Sequence, residues 1–600
     1  MKEKKIPKRS EVAKENTWAT EDIYPTDAAW EKEFEETAAY PEKLAGYAGR
    51  IGKSSAALLD YLKFNDESSL VIERLFHYAG LKSDEDTGNS LYQEMDGRIM
   101  SRYTQIAAAD AFSTPEIISI PDGDMERFYK EQPGLELYRR MLDRIRAGKA
   151  HTLSDAEEKL LASAADFAGA SSNTGSYFRN ADLRFPDVKD GEGNTLQLTD
   201  GTYIPYMQSS DRVLRRNAFD ALYGTYGSFR NTAASLLDGQ MRQLKFFSRA
   251  KKFDSSLEAA LFRTEVPKEV YFNLIKTVHE NMGHMHRYMK LRKKLMGLDE
   301  LHMYDIYPTI VSEAESGISF DEAKKTVLEA VAPLGKDYVD TVRHAFESRW
   351  IDVYENEGKR GGAYSAGARP HPYVLLNHAD NLDSMFTLIH EMGHAMHSYL
   401  SKENQPSVYA DYVIFVAEVA STCNEALLMY YLLGRTTDRK ERAYLINHFL
   451  EQFRTTLYRQ TMFAEFELKM SEIVESGRPL TADELCRIYH QLNAEYYGDS
   501  TVIDGGIDME WARIPHFFMN FYVFQYATGF SAAMALSQRI LNGGEQAVKD
   551  YLGFLSGGCS KKPIELLRGA GVDMTSPEPI KTALDTFGKL LDEFEELMKD

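Results

Sequence analysis

Two histidines and a glutamate in the sequence HEMGHAMH have the types and the spacing that a metal-dependent hydrolase requires. His390, Glu391 and His394 form the pattern His-Glu-x-x-His. On a helix, residues i and i+4 lie about 40° apart around the axis and one turn along it, so two imidazoles can reach one metal ion. The glutamate beside the first histidine can then take a proton from a water molecule. The spacing therefore predicts a zinc peptidase centre.

The segment around this motif, residues 382–400, is predicted to be one buried helix. Its apolar side chains recur at spacings of three and four, and Asn381 or Asp383 is the expected N-cap. Gly393 costs about 1 kcal/mol of helix stability relative to alanine. A glycine at this place indicates that another backbone, or a substrate, comes close to the helix. Burying two polar histidines in so apolar a helix costs free energy, which indicates that these residues have a function.

A second apolar helix, predicted over residues 409–434, offers the third metal ligand. Glu418, Ser421 and Glu425 lie at i, i+3 and i+7 and therefore share one face. Carboxylates on an apolar face need a cation or close hydrogen-bond partners. We expect Glu418 to bind the metal and Glu425 to orient a ligand histidine, or else to make a structural hydrogen bond elsewhere. His397 lies one turn beyond His394, where it supports the site or belongs to the core.

A near-copy of the motif occurs earlier, in HENMGH. His279 and His284 are separated by five positions, which turns the second histidine about 140° from the first on a regular helix. Two histidines so placed cannot share a metal ion. The stretch around them is predicted to be a structural amphipathic helix with a basic end.

Taken together, these residues resemble the thimet-type oligopeptidases, and most closely the oligoendopeptidase F family. The resemblance is carried by HEMGHAMH followed by AEVAST with Glu418, and by three further stretches. These are TWATEDIYPTDAAWEKEF, GKRGGAYSAGARPHPYVLLN and IPHFFMNFYVFQYATGF. It spans residues 16–590. It implies one zinc ion per chain and oligopeptide substrates. The implied fold is mainly α and zincin-like, with two helical halves around a deep substrate channel and a small β element beside the zinc helix.

The resemblance also implies that a histidine and a tyrosine near the end of the chain stabilise the oxyanion of amide hydrolysis. His516 and Tyr526 fit these roles, with Tyr522 as an alternative or as an additional substrate contact. Ten residues of regular helix would leave His516 and Tyr526 about 80° apart. They are therefore expected to approach the site from two sides or across a helix irregularity.

Local structure can be predicted for three shorter segments. PYVLLN, residues 372–377, is a strand whose edge could pair with an extended peptide. The glycine-rich residues 358–367 are expected to form a flexible loop and lack the spacing of a phosphate loop. DGEGN, within residues 183–206, indicates a turn or a short hairpin. This last segment suggests a boundary between an N-terminal helical region, residues 1–200, and a catalytic region, residues 201–600. The resemblance implies that the first of these regions is a wall of the channel.

Composition and charge restrict the classes of protein to which the chain is expected to belong. The chain has 600 residues with 70 basic and 91 acidic side chains, a formal net charge of −21, which argues against nucleic acid as a partner. The basic start MKEKKIPKRS is not followed by an apolar stretch, so no secretory signal is predicted. No run is long enough to span a membrane. Three widely spaced cysteines do not form a disulfide framework, which favours the cytoplasm.

The metal motif predicts a zinc-dependent hydrolase, and the resemblance implies that it is an endopeptidase for short, unstructured oligopeptides. Three alternatives stay open at this level. A zinc carboxypeptidase of related helical fold would share the zinc motif. A peptide-binding module without activity would not need the complete set of ligands and base. A scaffold with a structural zinc would more often use four protein ligands rich in cysteine.

Overall fold

Helices make up most of the chain in the computed structural model, which describes residues 6–311 and 317–599. This confirms the predicted mainly α class. The helices of the first described range are α1 (Asp27–Glu36), α2 (Tyr40–Ala45), α3 (Ser55–Glu85), α4 (Ser90–Asp110), α5 (Ser113–Ser119), α6 (Asp122–Glu131), α7 (Arg139–Ala147), α8 (Asp155–Ala168), α9 (Ala170–Tyr177), α10 (Asp200–Gln208), α11 (Arg212–Ser228), α12 (Arg230–Ala250), α13 (Ser256–Thr264), α14 (Lys268–Glu280) and α15 (Met282–Leu295). Those of the second range are α16 (Phe320–Ala330), α17 (Lys336–Glu347), α18 (Leu382–Asn404), α19 (Ala417–Arg435), α20 (Arg439–Gln452), α21 (Arg459–Glu475), α22 (Ala482–Tyr497), α23 (Phe524–Asn542), α24 (Gly544–Leu555), α25 (Pro563–Gly569) and α26 (Glu578–Leu597). None of these described helices combines the length and the apolarity needed to cross a lipid bilayer.

The strands of the described residues are few and short. They are β1 (Val188–Lys189), β2 (Thr195–Leu196), β3 (Leu301–His302), β4 (Ile351–Asp352), β5 (Tyr364–Ala366), β6 (Tyr373–Leu375) and β7 (Thr501–Val502). β1 and β2 pair antiparallel, which confirms the short hairpin expected within residues 183–206. β3 and β7 pair in parallel.

The third sheet corrects two of the local predictions. Its strand order is β4-β6-β5, with β4 parallel and β5 antiparallel to β6. The predicted strand at residues 372–377 is β6, but it lies in the middle of the sheet. Its two sides already pair with β4 and β5, so it cannot offer an edge to a peptide. The glycine-rich residues 358–367, expected to be a loop, contain the edge strand β5.

The chain divides into two compact units, each assembled from three segments. Unit 1 comprises Met1–Ala150, Ser316–Tyr431 and Leu536–Gly571, and unit 2 comprises His151–Glu315, Leu432–Ala535 and Val572–Asp600. The expected regions, residues 1–200 and 201–600, are a contiguous division of the sequence and stay a prediction. The compact units interleave along the chain because packing joins segments that are far apart in sequence.

In unit 1, apolar side chains of α1, α3 and α4 form a core against the β4-β6-β5 sheet. Its largest members include Trp18, Trp30, Tyr78 and Tyr373, each at most 4 % exposed. Aromatic side chains of this size remove the most apolar surface from water per residue. Helix α18, which carries HEMGHAMH, contacts β5 and β6. The sheet therefore fixes the position of the motif helix.

Helix α18 begins where the sequence indicates. The side chain of Asn381 accepts a hydrogen bond from the backbone N–H of Ser384 at 2.8 Å, which identifies the N-cap. Helix α19 begins later than expected, at Ala417 instead of residue 409. The carbonyl of Tyr409 accepts the N–H of Cys559, and that of Ala410 accepts the hydroxyl of Ser401. These two carbonyls are thus used by other segments, and the chain before α19 forms two short 3-10 turns instead.

In unit 2, aromatic rings pack around α21. Phe466 contacts Tyr489 of α22 and Phe517, with ring centroids 5.0 and 5.2 Å apart. Phe517 belongs to a 3-10 turn, Pro515–Phe518, that precedes α23. This packing anchors the turn that carries His516.

Candidate active site

Three side chains of unit 1 bring their metal-binding atoms together. The Nε2 atoms of His390 and His394, one turn apart on α18, are separated by 3.2 Å. Glu418, in the first turn of α19, places Oε2 at 3.5 Å from each of these nitrogens. Within the described residues these three form one of two groups whose donor atoms are close enough to share a metal ion. The two histidines of the motif and the predicted third ligand are therefore neighbours.

The separations fit a zinc ion. Zinc with tetrahedral ligands at about 2.0–2.2 Å holds the ligand atoms about 3.3–3.6 Å apart. Two imidazole nitrogens and one carboxylate oxygen are donors that zinc prefers, and three protein ligands leave a fourth position for water. Two Nε2 atoms that face each other also need either a shared proton or a shared cation between them. The donor set and its spacing thus match a catalytic zinc site.

Gly393 allows α18 and α19 to approach each other. A Cβ atom at this position would lie 2.5 Å from the Cα of Ser421 and 2.8 Å from the carbonyl oxygen of Ala420. The close backbone that the sequence indicated at Gly393 is therefore the first turns of α19. The hydroxyl of Ser421 donates to the Glu418 carboxylate at 3.2 Å. The contact that glycine permits thus sets the distance between the motif and Glu418.

Glu425 lies beside the first histidine. Its Oε1 accepts a hydrogen bond from Nδ1 of His390, so that in the neutral form of the ring the lone pair lies on Nε2, on the side of Glu418 and His394. Burial lowers the pKa of His390, but the Glu425 hydrogen bond and three nearby carboxylates raise it to about 9. Burial likewise raises the pKa of Glu418, but its interactions with His394 and His390 lower it to about 2. The surroundings of the His390 ring therefore favour positive charge.

Glu391 and His397 occupy different surroundings on α18. Glu391 is only 7 % exposed, and burial raises the pKa of its carboxyl above the ordinary value. His397 is 1 % exposed and stacks on Tyr412 with ring centroids 3.7 Å apart. Burial lowers the pKa of His397 to about 3, so the ring is neutral. Of the two possibilities left open for His397, the structure favours a core residue.

Three rings of unit 2 form a second cluster. His516 stacks with Tyr522 at 6.2 Å between centroids, and Tyr526 meets both rings edge-on, at 5.9 Å from His516 and 5.2 Å from Tyr522. His516 lies in the 3-10 turn, Tyr522 in the following loop and Tyr526 in the first turn of α23. The expected helix irregularity is this turn and loop. Burial lowers the pKa of His516.

The near-copy at His279 has a different environment in unit 2. Helix α14 ends at Glu280 and α15 begins at Met282, so the single helix expected there is wrong and His279 and His284 lie in different helices. Nε2 of His279 donates to Glu465 at 2.6 Å, and Glu495 completes the second possible metal-binding group. Glu465 also accepts the hydroxyl of Tyr496 and pairs with Lys469. Its charge is already balanced, which favours the structural interpretation.

Two side chains that the sequence analysis did not single out hold the loop before α23. Glu467 of α21 accepts the N–H of Phe521 at 2.7 Å, and the Gln240 side chain donates to Oδ1 of Asn520 at 2.9 Å. Nothing in FAEFELKM or DGQMRQL distinguishes these residues from polar residues on a solvated helix face. Only tertiary packing reveals them.

Comparison with known proteins agrees with this geometry. The model of "Peptidase family M3" matches residues 205–586, and that of "Oligopeptidase F" matches residues 116–185. Oligopeptidase PepF of Bacillus subtilis is 48% identical over 598 residues, covering 100% of this chain and 89% of the relative. Group B oligopeptidase PepB of Streptococcus agalactiae is 41% identical, covering 98% of each chain.

Solved structures agree as well. A structure described as a peptidase from Chlamydophila abortus superimposes with a TM-score of 0.93 at 34% identity, covering 99% of this chain and 100% of the other. Oligoendopeptidase-F from Enterococcus faecium gives a TM-score of 0.75 at 37% identity, covering 95% of this chain and 99% of the other. Identity of this extent over whole chains establishes common descent and a helical metallopeptidase fold. The chain therefore belongs to peptidase family M3 and, within it, to the metalloendopeptidases of the oligoendopeptidase F group.

Proposed function

We propose that this protein is a zinc-dependent endopeptidase that hydrolyses internal bonds of short, unstructured oligopeptides. The observation that carries the proposal is the group formed by His390, His394 and Glu418, whose donor atoms have the separations of zinc ligands, with Glu391 beside it. The substrate class is supported by the names of the relatives, which are oligopeptidases. By resemblance to the family, a deep channel would admit flexible peptides and exclude folded proteins.

In this proposal His390, His394 and Glu418 hold one zinc ion per chain. Zinc, when bound, supplies a Lewis acid that acidifies water and polarises a peptide carbonyl. Glu425 keeps His390 in the tautomer that has Nδ1 protonated, so that Nε2 is free to ligate. The ring orientation is thereby fixed before the ion arrives.

Glu391 is proposed as the general base. Its carboxylate takes a proton from the attacking water and passes that proton to the leaving amine. No covalent intermediate with the chain is needed. A buried carboxylate beside the ligands suits this role because little bulk water competes for the transferred proton.

His516 and Tyr526 are proposed to donate hydrogen bonds to the oxyanion that develops on the substrate carbonyl, with Tyr522 as a further donor or substrate contact. Their mutual ring contacts support the proposal, because packed rings lose little entropy when they bind the transition state. Preorganised donors of this kind are worth about 10²–10³ in kcat each.

The substrate backbone is proposed to extend along β5. This strand ends the β4-β6-β5 sheet and contacts α18. An extended peptide that pairs with it would make main-chain hydrogen bonds independent of its sequence. The role proposed from the sequence for residues 372–377 thus passes to residues 364–366.

The test is cleavage of a defined peptide mixture by the full chain, with and without a chelator, read by mass spectrometry. Internal cuts that stop on chelation and return with added zinc are expected. Peptides blocked at both ends separate the two candidate activities. If only peptides with a free C-terminus are cut, the chain is a carboxypeptidase and the endopeptidase proposal fails. The predicted cytoplasmic location stays a prediction.

A further inference from the structure

The loop between the 3-10 turn Pro515–Phe518 and α23 has an unusual backbone. Asn520 has φ 57° and Phe521 has φ 59°, so two successive residues with side chains adopt the left-handed region. Asparagine tolerates this region, but phenylalanine rarely adopts it because its Cβ approaches the neighbouring carbonyl. Such a conformation persists only where surrounding contacts impose it. The residue that follows directly is Tyr522.

Glu467 of α21 contacts the backbone of this loop directly. Its Oε1 accepts the N–H of Phe521 at 2.7 Å, and both residues are at most 2 % exposed. The Phe521 ring packs edge-on against Tyr271, with centroids 6.1 Å apart. The Gln240 side chain donates to the carbonyl oxygen of Phe518 at 3.3 Å and to the side chain of Asn520. The loop is thus held at Phe518, Asn520 and Phe521 by side chains of unit 2.

Burying the carboxyl group of Glu467 at this position costs free energy. Within the described residues its other oxygen, Oε2, is buried and has no hydrogen-bond partner. Burial raises the pKa of its carboxyl to about 8, and the hydrogen bond from the Phe521 N–H offsets this loss of hydration only in part. An apolar side chain of similar size would fill the same volume without burying a carboxyl group. The bond to Phe521 is therefore the feature that accounts for an acid at this position.

We propose that Glu467 is a positioning residue, whose bond to the Phe521 N–H fixes the left-handed Asn520–Phe521 step and thereby sets Tyr522 and Tyr526 against His516. The inference rests on the proposed roles of those three rings in hydrolysis. Glu467 itself acts only through the loop. Loss of its acceptor releases the loop and moves the hydroxyl donors, while the metal ligands of unit 1 stay unchanged.

The test compares two substitutions of Glu467 in the zinc-loaded full chain. Glu467→Met fills the volume but removes the acceptor, whereas Glu467→Gln keeps a carbonyl oxygen for the Phe521 N–H. A misplacement of about 1 Å costs up to about 10²-fold in rate, so Glu467→Met is expected to lose at least about 10-fold in kcat. KM and zinc content are expected to stay within about twofold. The glutamine variant is expected to recover most of the lost kcat.

The exposed Glu472, on the same helix, provides the matched control. Glu472→Met is expected to leave kcat unchanged. Thermal unfolding of all variants is followed in parallel, so that a loss of fold is recognised. If Glu467→Met stays folded and retains kcat, or if Glu467→Gln loses as much as Glu467→Met, the inference is overturned.

A double-mutant cycle with Tyr526→Phe separates this inference from the proposed function. If Glu467 acts through the loop, Tyr526→Phe costs much less in the Glu467→Met background than alone. Full additivity of the two losses overturns the positioning role and leaves the proposed function intact. If Tyr526→Phe and Tyr522→Phe each leave kcat unchanged, the oxyanion part of the proposed function fails, and the positioning inference fails with it.

Discussion

Gly393→Ala tests whether the contact between α18 and α19 sets the metal site. The added Cβ would lie 2.5 Å from the Cα of Ser421, roughly 1 Å short of the 3.4 Å at which ordinary contact begins. The atoms it meets belong to backbone, which cannot rotate away as a side chain can. The first turns of α19 must therefore move away from α18 by about this amount, and Glu418 moves with them.

The expected effect on stability is small because two terms oppose each other. Alanine gains about 1 kcal/mol over glycine in a helix interior. Overpacking of a close backbone contact costs about 1–3 kcal/mol. The free energy of unfolding should therefore fall by at most about 2 kcal/mol, and the chain stays folded.

The expected effect on the site is large. Ligand distances must agree within about 0.2 Å, so a shift of about 1 Å takes Glu418 out of the coordination sphere. Loss of a residue that only hydrogen-bonds to a metal ligand already lowers metal affinity by about 10–100-fold. Displacement of the ligand Glu418 itself should lower zinc affinity by at least this much. At saturating zinc, kcat/KM should still fall by about 10²-fold, because the remaining ligands misplace the ion.

The assay is a competitive zinc titration, with kcat/KM and calorimetric unfolding measured on the same samples. Gly553→Ala is the matched control. Gly553 lies exposed in α24, and a Cβ there would meet no atom within 4 Å. That variant should keep zinc affinity and gain up to about 1 kcal/mol. If Gly393→Ala keeps zinc affinity and kcat/KM within twofold of the wild type, the reasoning about the contact is wrong.

Three further outcomes are expected. Glu391→Gln should lower kcat by about 10²–10⁴-fold and leave zinc content unchanged, because only proton transfer is lost; unchanged turnover would rule out the base. Glu425→Gln should weaken zinc binding by about 10–100-fold in a competitive titration, because an amide replaces the carboxyl group that accepts the His390 hydrogen bond. Tyr526→Phe should lower kcat by about 10²–10³-fold with KM little changed. If Tyr522→Phe lowers kcat more than Tyr526→Phe does, Tyr522 is the main oxyanion donor and the assignment to Tyr526 is wrong.

Helix geometry made much of the metal group predictable. Positions i and i+4 on α18, and i, i+3 and i+7 on α19, depend only on the rise and turn of a helix. The apolar periodicity around them indicated that both helices are buried. Local chemistry limited the N-cap to Asn381 or Asp383 and indicated a close backbone or substrate at Gly393, and the structure selects Asn381 and a backbone. These features could be predicted from the sequence because each depends on one helix or on its immediate surroundings.

Predictions that required knowledge of neighbouring elements were less successful. The strand at residues 372–377 was correctly located, but its place in the middle of a sheet depends on β4 and β5, which have two and three residues. Strands so short carry almost no periodic signal. The helix around His279 breaks at Asn281, where φ is −119° and ψ is 18°. Asparagine also occurs inside helices, so this one residue was not enough to predict the end of the helix.

Glu425 and Glu467 show why some site residues are visible in a sequence and others are not. Both are acids on buried helices. Glu425 accepts a hydrogen bond from His390, a proposed metal ligand, and Glu467 accepts one from Phe521, the residue before Tyr522. Glu425 lies at helical spacing from Glu418 on an otherwise apolar face, so its cost is evident from the sequence. Glu467 follows Glu465 by two positions in a mixed segment, and its burial depends on the loop before α23 and on helices such as α12 and α14 that pack against α21. An acid whose partner is a backbone N–H leaves no matching side chain to find, so a structure is needed to identify it.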